Sequence, residues 1–248
     1  MPALMSHLVA GFPNEEIALL AAESLIESGA TFLEIQLPFS DPSADGKDIA
    51  NACTQTLLNG FKTQQAFDFI QKIHQKYPLI QLAIMSYASL VVTPGIAHFC
   101  QQAQQAGVGF LIVPDLPFDC DENLRQIALQ HRIQMIPVAA PSMSCNRINL
   151  LLKQNFPIIY AALRRGITGN QTQITQETQN FLKHLKQNHA QILGGFGVSN
   201  RTTVQSVAPF VDYVVAGSIF VRIIEQNQND LKLLQKLLKE KAQELCLE

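Results

Sequence analysis

Short apolar runs alternate with longer amphipathic stretches from one end of the chain to the other. Eight of these runs read as strands: residues 8–10, 32–37, 81–85, 109–113, 135–138, 158–162, 192–194 and 213–216. Several are rich in β-branched residues and apolar on both faces, as strands of a parallel sheet covered by helices are. The stretches between them carry apolar residues at helical spacing. In 14–28 the stripe is Ile17, Leu20, Ala21 and Leu25, and Gly29 is placed to stop the helix. The segment 63–75 opens on a threonine cap, and 96–106 ends before Gly107. Segments 121–131, 144–154, 176–188 and 201–207 continue the series, and 229–244 closes it with leucines at i, i+3 and i+4.

Strands alternating with helices predict a parallel α/β fold. Eight such units in 248 residues match the size of a single (β/α)₈ TIM barrel, one domain over residues 1–248 with no linker or composition shift. An open doubly wound sheet is the alternative, but the G-x-G-x-x-G turn that fold favours after its first strand is absent.

Composition narrows the function. Hydrophobic residues make up 47% of the chain and charged residues only 15%, too apolar for disorder. Glutamine supplies the missing surface polarity, as in Gln101, Gln102, Gln104 and Gln105. A net charge of -2 gives no electrostatic reason to expect nucleic acid or an anionic membrane. The five cysteines are scattered, without the close spacing of a zinc site, and read as reduced thiols in a cytoplasm. No basic segment followed by a long apolar stretch opens the chain, and no apolar run approaches the ~18 residues that span a bilayer.

The second predicted strand and the loop after it hold the most informative chemistry. Glu34 lies inside an apolar strand, where an unpaired charge costs several kcal/mol. A carboxyl in that setting titrates high and can act as acid or base. Asp45 follows on a loop beyond the strand's C-terminal end, the end at which barrels carry out chemistry. One buried carboxylate and one on a mobile loop suit a divided acid–base task. A plainer reading also stands: a Glu satisfied by a neighbouring strand, with Ser40, Asp41, Pro42, Asp45 and Gly46 as turn formers.

Three glycine groups fall after the sixth, seventh and eighth predicted strands: Gly166 and Gly169; Gly194, Gly195 and Gly197; and Gly217 before Ser218 at a helix start. Glycines let backbone N–H groups approach a ligand, and a helix N-terminus favours anions. Each alone reads more readily as a tight turn. Together at one barrel rim they suggest a phosphate site needing no lysine. His74, His98, His131, His184 and His189 read as solvated or capping, and Asp115 sits at the same rim without a role the sequence decides.

The order Leu33, Glu34, Pro38, Phe39, Ser40, Asp41, Pro42, Ala44, Asp45, Gly46 resembles the signature of the tryptophan synthase α-subunit family, and the resemblance runs along nearly the whole chain. Tyr160, Arg164, Gly166, Thr168 and Gly169 resemble the family's loop after strand six. Gly195, Phe196, Gly197, Gly217 and Ser218 resemble its phosphate cradle.

The resemblance implies a lyase of tryptophan biosynthesis that cleaves indole-3-glycerol phosphate to indole and glyceraldehyde 3-phosphate. It implies Glu34 as general acid/base and Asp45 as the carboxylate that holds the indole N–H. Thr168 would bond Asp45. Gly169, Gly197, Gly217 and Ser218 would hold phosphate, and Tyr160 and Phe196 would line the pocket. It implies no metal and no cofactor on this chain, and as partner a β subunit carrying pyridoxal phosphate in an α₂β₂ tetramer, docked through Asp41, Pro42 and residues 89–95.

The chain departs from the family pattern at several places. Gln36 stands where Gly is usual, Phe12 where Asp is usual, His7 where a large apolar residue is common, Leu163 where Ser is usual, and Ser89 where Asn is common. Gln36, Leu163 and His7 set a competing expectation: an impaired lyase that serves mainly to activate the β subunit. A third is another phosphate-binding barrel, although no lysine for a Schiff base falls in the predicted strands.

Overall fold

The computed structural model describes residues 1–163 and 174–246. Its strands are β1 (Ala3–Val9), β2 (Ala30–Gln36), β3 (Gln81–Met85), β4 (Phe110–Ile112), β5 (Gln134–Met135), β6 (Val138–Ala139), β7 (Ile158–Ala162), β8 (Gln191–Gly195) and β9 (Tyr213–Ala216). All pair in parallel, in the order β5-β4-β3-β2-β1-β9-β8-β7-β6.

The two ends of that order are halves of one segment, the predicted strand 135–138. Pro137 has no N–H to give and divides it. The ladder still continues through it. Gln134 and Ile136 donate to Gly109 and Leu111 at 2.9 Å, and Pro137 accepts from Tyr160 at 3.0 Å. The segment therefore joins β4 on one side to β7 on the other and closes an eight-unit (β/α)₈ barrel. The open doubly wound alternative is excluded by this closure.

β1 is longer than its apolar run suggests. Ser6 and His7 interrupt the hydrophobic pattern but are 0% and 4% exposed, because Ala3–Ser6 pair with β9 while residues 4–9 pair with β2. Pairing on both edges, not local hydrophobicity, makes this strand.

The helices are α1 (Glu15–Ile26), α2 (Lys47–Leu58), α3 (Thr63–Lys76), α4 (Ala88–Val92), α5 (Ile96–Gln105), α6 (Leu124–Gln130), α7 (Cys145–Lys153), α8 (Gln176–Leu185), α9 (Arg201–Val207), α10 (Ser218–Asn227) and α11 (Leu231–Leu245). Asn14 caps α1 by accepting the Ile17 N–H at 3.0 Å. The cap expected of Thr63 belongs to Gln65, whose side chain accepts the Lys62 N–H at 2.7 Å. α6 starts later than expected because Asp121, three residues upstream, accepts the Arg125 N–H at 2.9 Å. α2 escapes the sequence pattern because only Ala52, Cys53 and Thr56 are buried along it, too thin a stripe to show a period.

Alternation along the strands separates two cores. Leu33, Ile35 and Leu37 face the helices, with Leu4 and Leu8. Met5, Phe32, Ala83, Ile112, Ile136, Ile158, Leu193 and Val215 fill the barrel. Toward the C-terminal ends of β1 and β2 the positions in register with that inner set become polar: His7, Glu34 and Gln36. No helix among the described residues is long and apolar enough to cross a membrane. His74 departs from the solvated reading: its ring packs on Gly107, where a Cβ would come within 2.3 Å of it.

Candidate active site

Glu34 is 3% exposed. Its register partner across the ladder is His7, and His7 Nδ1 lies 3.2 Å from Glu34 Oε1. The plain reading of a buried Glu met by a neighbouring strand thus holds for one oxygen. Glu34 Oε2 remains buried without a partner, as does His7 Nε2.

Asp45 is on the loop after β2, as expected, but it is not free there. Its Oδ2 accepts from Tyr87 Oη at 2.6 Å and from Gln36 Nε2 at 2.7 Å, and Tyr87 Oη accepts the Ala44 N–H at 3.1 Å. Phe39 stacks on Tyr87 with centroids 4.9 Å apart. Two turns, Ser43 N–H to Asp41 and Asp45 N–H to Pro42, fold the loop back under this strap. The expectation of a mobile Asp45 is therefore corrected: a phenol and an amide, each from a different strand end, hold it.

Gln36 is part of that strap and does not crowd the cavity. Its amide N also lies 3.4 Å from Cys53 Sγ, and the residue is 0% exposed. Leu163 is likewise 0% exposed and packs in the helix-facing core, and so does Phe12. Asp115 acquires a structural role by accepting the Ala88 N–H at 2.9 Å at the start of α4.

The electrostatics follow from burial. Desolvation pushes the Asp45 carboxyl above its ordinary pKa, against the opposing pull of His7, Tyr87 and Gln36; the Glu34 charge adds to the rise. Desolvation pulls His7 down, but Glu34's charge and hydrogen bond, with Asp45 behind them, more than reverse this and leave His7 above its ordinary value. Burial and both carboxylates hold the Tyr160 phenol well above its usual range. Burial pushes the Cys53 thiol up to about 12, so it stays protonated.

A raised carboxyl favours the fold in its protonated state. That contribution is present at low pH and is lost as pH rises through the raised pKa. Asp45→Asn keeps an acceptor oxygen for Tyr87 and Gln36 and never ionises. Its thermal midpoint is expected above the wild type's at neutral pH, with the gap narrowing as pH falls. A gap independent of pH in parallel melts would contradict the assignment.

The glycine rim stands across the cavity. Tyr160 and Phe196 meet edge to face with centroids 5.7 Å apart. Phe196 has φ 72°, the left-handed region that non-glycine residues rarely occupy and that clusters at functional sites. Gly217 and Ser218 begin α10, where the leading backbone N–H groups lack helical partners and can meet an anion. One cavity is lined by Glu34, Asp45, Tyr160, Phe196, Gly197, Gly217 and Ser218 together. Among the described residues lining it there is no Lys or Arg. Thr168 and Gly169, with Arg164 and Gly166, lie outside the described residues. His7 and Tyr87 were not singled out as site residues by sequence reasoning. His7 stands out in the sequence only as a departure from the family pattern, just outside the predicted strand 8–10, and nothing local marks Tyr87.

The fold and site define the class: a (β/α)₈ barrel with two buried carboxyl groups facing a glycine rim across one cavity. The family model for the tryptophan synthase alpha chain matches residues 1–246. The chain is 40% identical over 233 residues to the tryptophan synthase alpha chain of Helicobacter hepaticus, covering 91% of this chain and 86% of that one. It is 30% identical over 245 residues to that of Aquifex aeolicus, covering 98% and 94%. A solved structure of the tryptophan synthase α₂β₂ complex from Pyrococcus furiosus superposes with a TM-score of 0.89 at 29% identity, covering 98% of this chain and 97% of that one. This chain belongs to the tryptophan synthase alpha chain family.

Proposed function

We propose that the cavity binds indole-3-glycerol phosphate and that Glu34 and Asp45 divide its cleavage between them. The observation that carries this reading is the meeting of both carboxylates and the glycine rim in one cavity. An indole ring carbon leaves poorly unless it is first protonated. Glu34 delivers that proton to the carbon bearing the glycerol chain, and the Asp45 carboxylate faces the ring N–H, which becomes cationic. Glu34, now ionised, takes the proton of the adjacent glycerol hydroxyl. The carbon–carbon electron pair returns to the ring, and indole and glyceraldehyde 3-phosphate separate. The backbone amides at Gly197, Gly217 and Ser218 hold the phosphate, and the family resemblance adds Thr168 and Gly169, which lie outside the described residues. Tyr160 and Phe196 wall the ring.

In this reading the chain carries no cofactor of its own. Its partner is a β subunit with pyridoxal phosphate, assembled as in the Pyrococcus furiosus α₂β₂ complex, with Asp41, Pro42 and residues 89–95 at the contact. Val92, in that stretch, is 41% exposed. The departures at Gln36 and Leu163 give no support to an impaired lyase, since one braces Asp45 and the other packs in the core.

The test is the purified chain with its own β subunit, offered indole-3-glycerol phosphate while indole and tryptophan are followed. Steady turnover is expected. No turnover, with stimulation of the reaction of indole with serine, would replace the lyase by a regulatory subunit.

A further inference from the structure

We propose that His7 is a positioning residue acting through Glu34: the two side chains hold one proton between them, and the imidazole is the store from which the carboxylate is recharged. This rests on the reading of Glu34 as the acid/base of the site.

The geometry is that of a dyad. His7 and Glu34 face each other across adjacent parallel strands, 3.2 Å apart from Nδ1 to Oε1, and both are more than nine-tenths buried. Each keeps one further buried atom without a partner, His7 Nε2 and Glu34 Oε2, and both residues line the cavity. Backbone just after β9 bounds the ring's far side: a Cβ on Gly217 would stand 3.0 Å from the ring, so the glycine leaves the imidazole its room.

His7 is also the single basic side chain among the described residues lining the cavity. The groups that face it are few. β2 and the loop after it bring Glu34 and Asp45, and β7 brings the Tyr160 phenol, which stays neutral. β3, β4 and β6 contribute only Met85, Ile112 and Val138 to the same wall. Two carboxyl groups and one imidazole, all buried, thus line one cavity.

The proton balance gives the pair its use. The cleavage begins with a proton on Glu34, yet an ordinary carboxyl is ionised at neutral pH. The neighbouring charges raise the imidazole above its ordinary value, and its Nδ1 lies within reach of Glu34 Oε1, so the ring can hold the proton that the pair shares. That proton passes from Nδ1 to Oε1, and Glu34 gives a proton to the ring carbon. The hydroxyl proton then returns to Glu34 and through it to Nδ1. The pair ends each cycle with one proton, as it began.

Two variants and one spectroscopic titration test this. His7→Phe keeps a ring without a proton; His7→Asn keeps a donor to Glu34 but does not titrate. Both are expected to move the alkaline limb of kcat/KM to lower pH, losing about tenfold per pH unit beyond it while the wild type still holds, and to regain rate toward acid pH. A loss equal at every pH would assign His7 a merely structural role and overturn the proposal. The His7 ring is also followed by NMR in the wild type and in Glu34→Gln. Its pKa is expected to fall in the variant, where burial acts without Glu34 to oppose it, and an unchanged value would sink the pairing. This titration needs no turnover, so failure of the lyase reading and failure of the dyad are seen separately.

Discussion

Glu34→Gln will lower the rate of indole release from indole-3-glycerol phosphate by about 10³-fold, within the range that positioned acid–base groups contribute. The amide has the shape of the carboxyl and can still bond His7 Nδ1, so the barrel is expected to melt near the wild-type temperature. What it lacks is a proton to give to the ring carbon and a lone pair basic enough to take one from the glycerol hydroxyl. Binding through the glycine rim is untouched, so KM stays within a few-fold while kcat falls, the pattern of an interaction made only in the transition state. A variant retaining a tenth or more of the turnover would move the acid–base role to another group, with Asp45 the next to test.

Gly195→Ala is expected to damage both fold and site. A Cβ built there stands 2.1 Å from Tyr160 Oη and 2.5 Å from its ring. Tyr160 is 7% exposed and meets Phe196 edge to face, so it must give way into the cavity it lines or push that ring. Forcing a methyl into such packing costs about 1–3 kcal/mol, and each kcal/mol lowers the midpoint of a domain this size by roughly 2–4 °C. Because Tyr160 and Phe196 wall the cavity, a displacement of about 1 Å also costs on the order of 10²-fold in lyase rate. Trimming the neighbour in the double variant Gly195→Ala, Tyr160→Leu will lose less stability than the two single changes summed, the mark of contacting residues. An unchanged midpoint in Gly195→Ala would show that the tyrosine moves freely.

What the sequence made legible was governed by local chemistry. Glu34 announced itself because a charge inside an apolar strand demands an explanation, and the glycines of the rim because three groups recur at matching strand ends. The barrel followed from the count and alternation of its units. What stayed hidden depends on contacts distant along the chain. Gln36 reads as an intrusion until Asp45, nine residues on, is seen to accept its amide. Tyr87 supports Asp45 from 42 residues away. β1 is polar at Ser6 and His7, and its first residues, Ala3 to Ser6, join the sheet by pairing with β9, at the other end of the chain. α2 hides because it buries almost nothing apolar.

The divided strand at Pro137 has a mechanical consequence. Elsewhere each wall strand is laced along both edges, but here one half is laced to the left and the other to the right, so the barrel is two arcs meeting at a seam. In the ring of eight, that seam lies diametrically opposite β1, with β2 beside it, at the middle of the ladder order. His7 and Glu34 therefore stand on strands paired along both edges, across the barrel from the divided one.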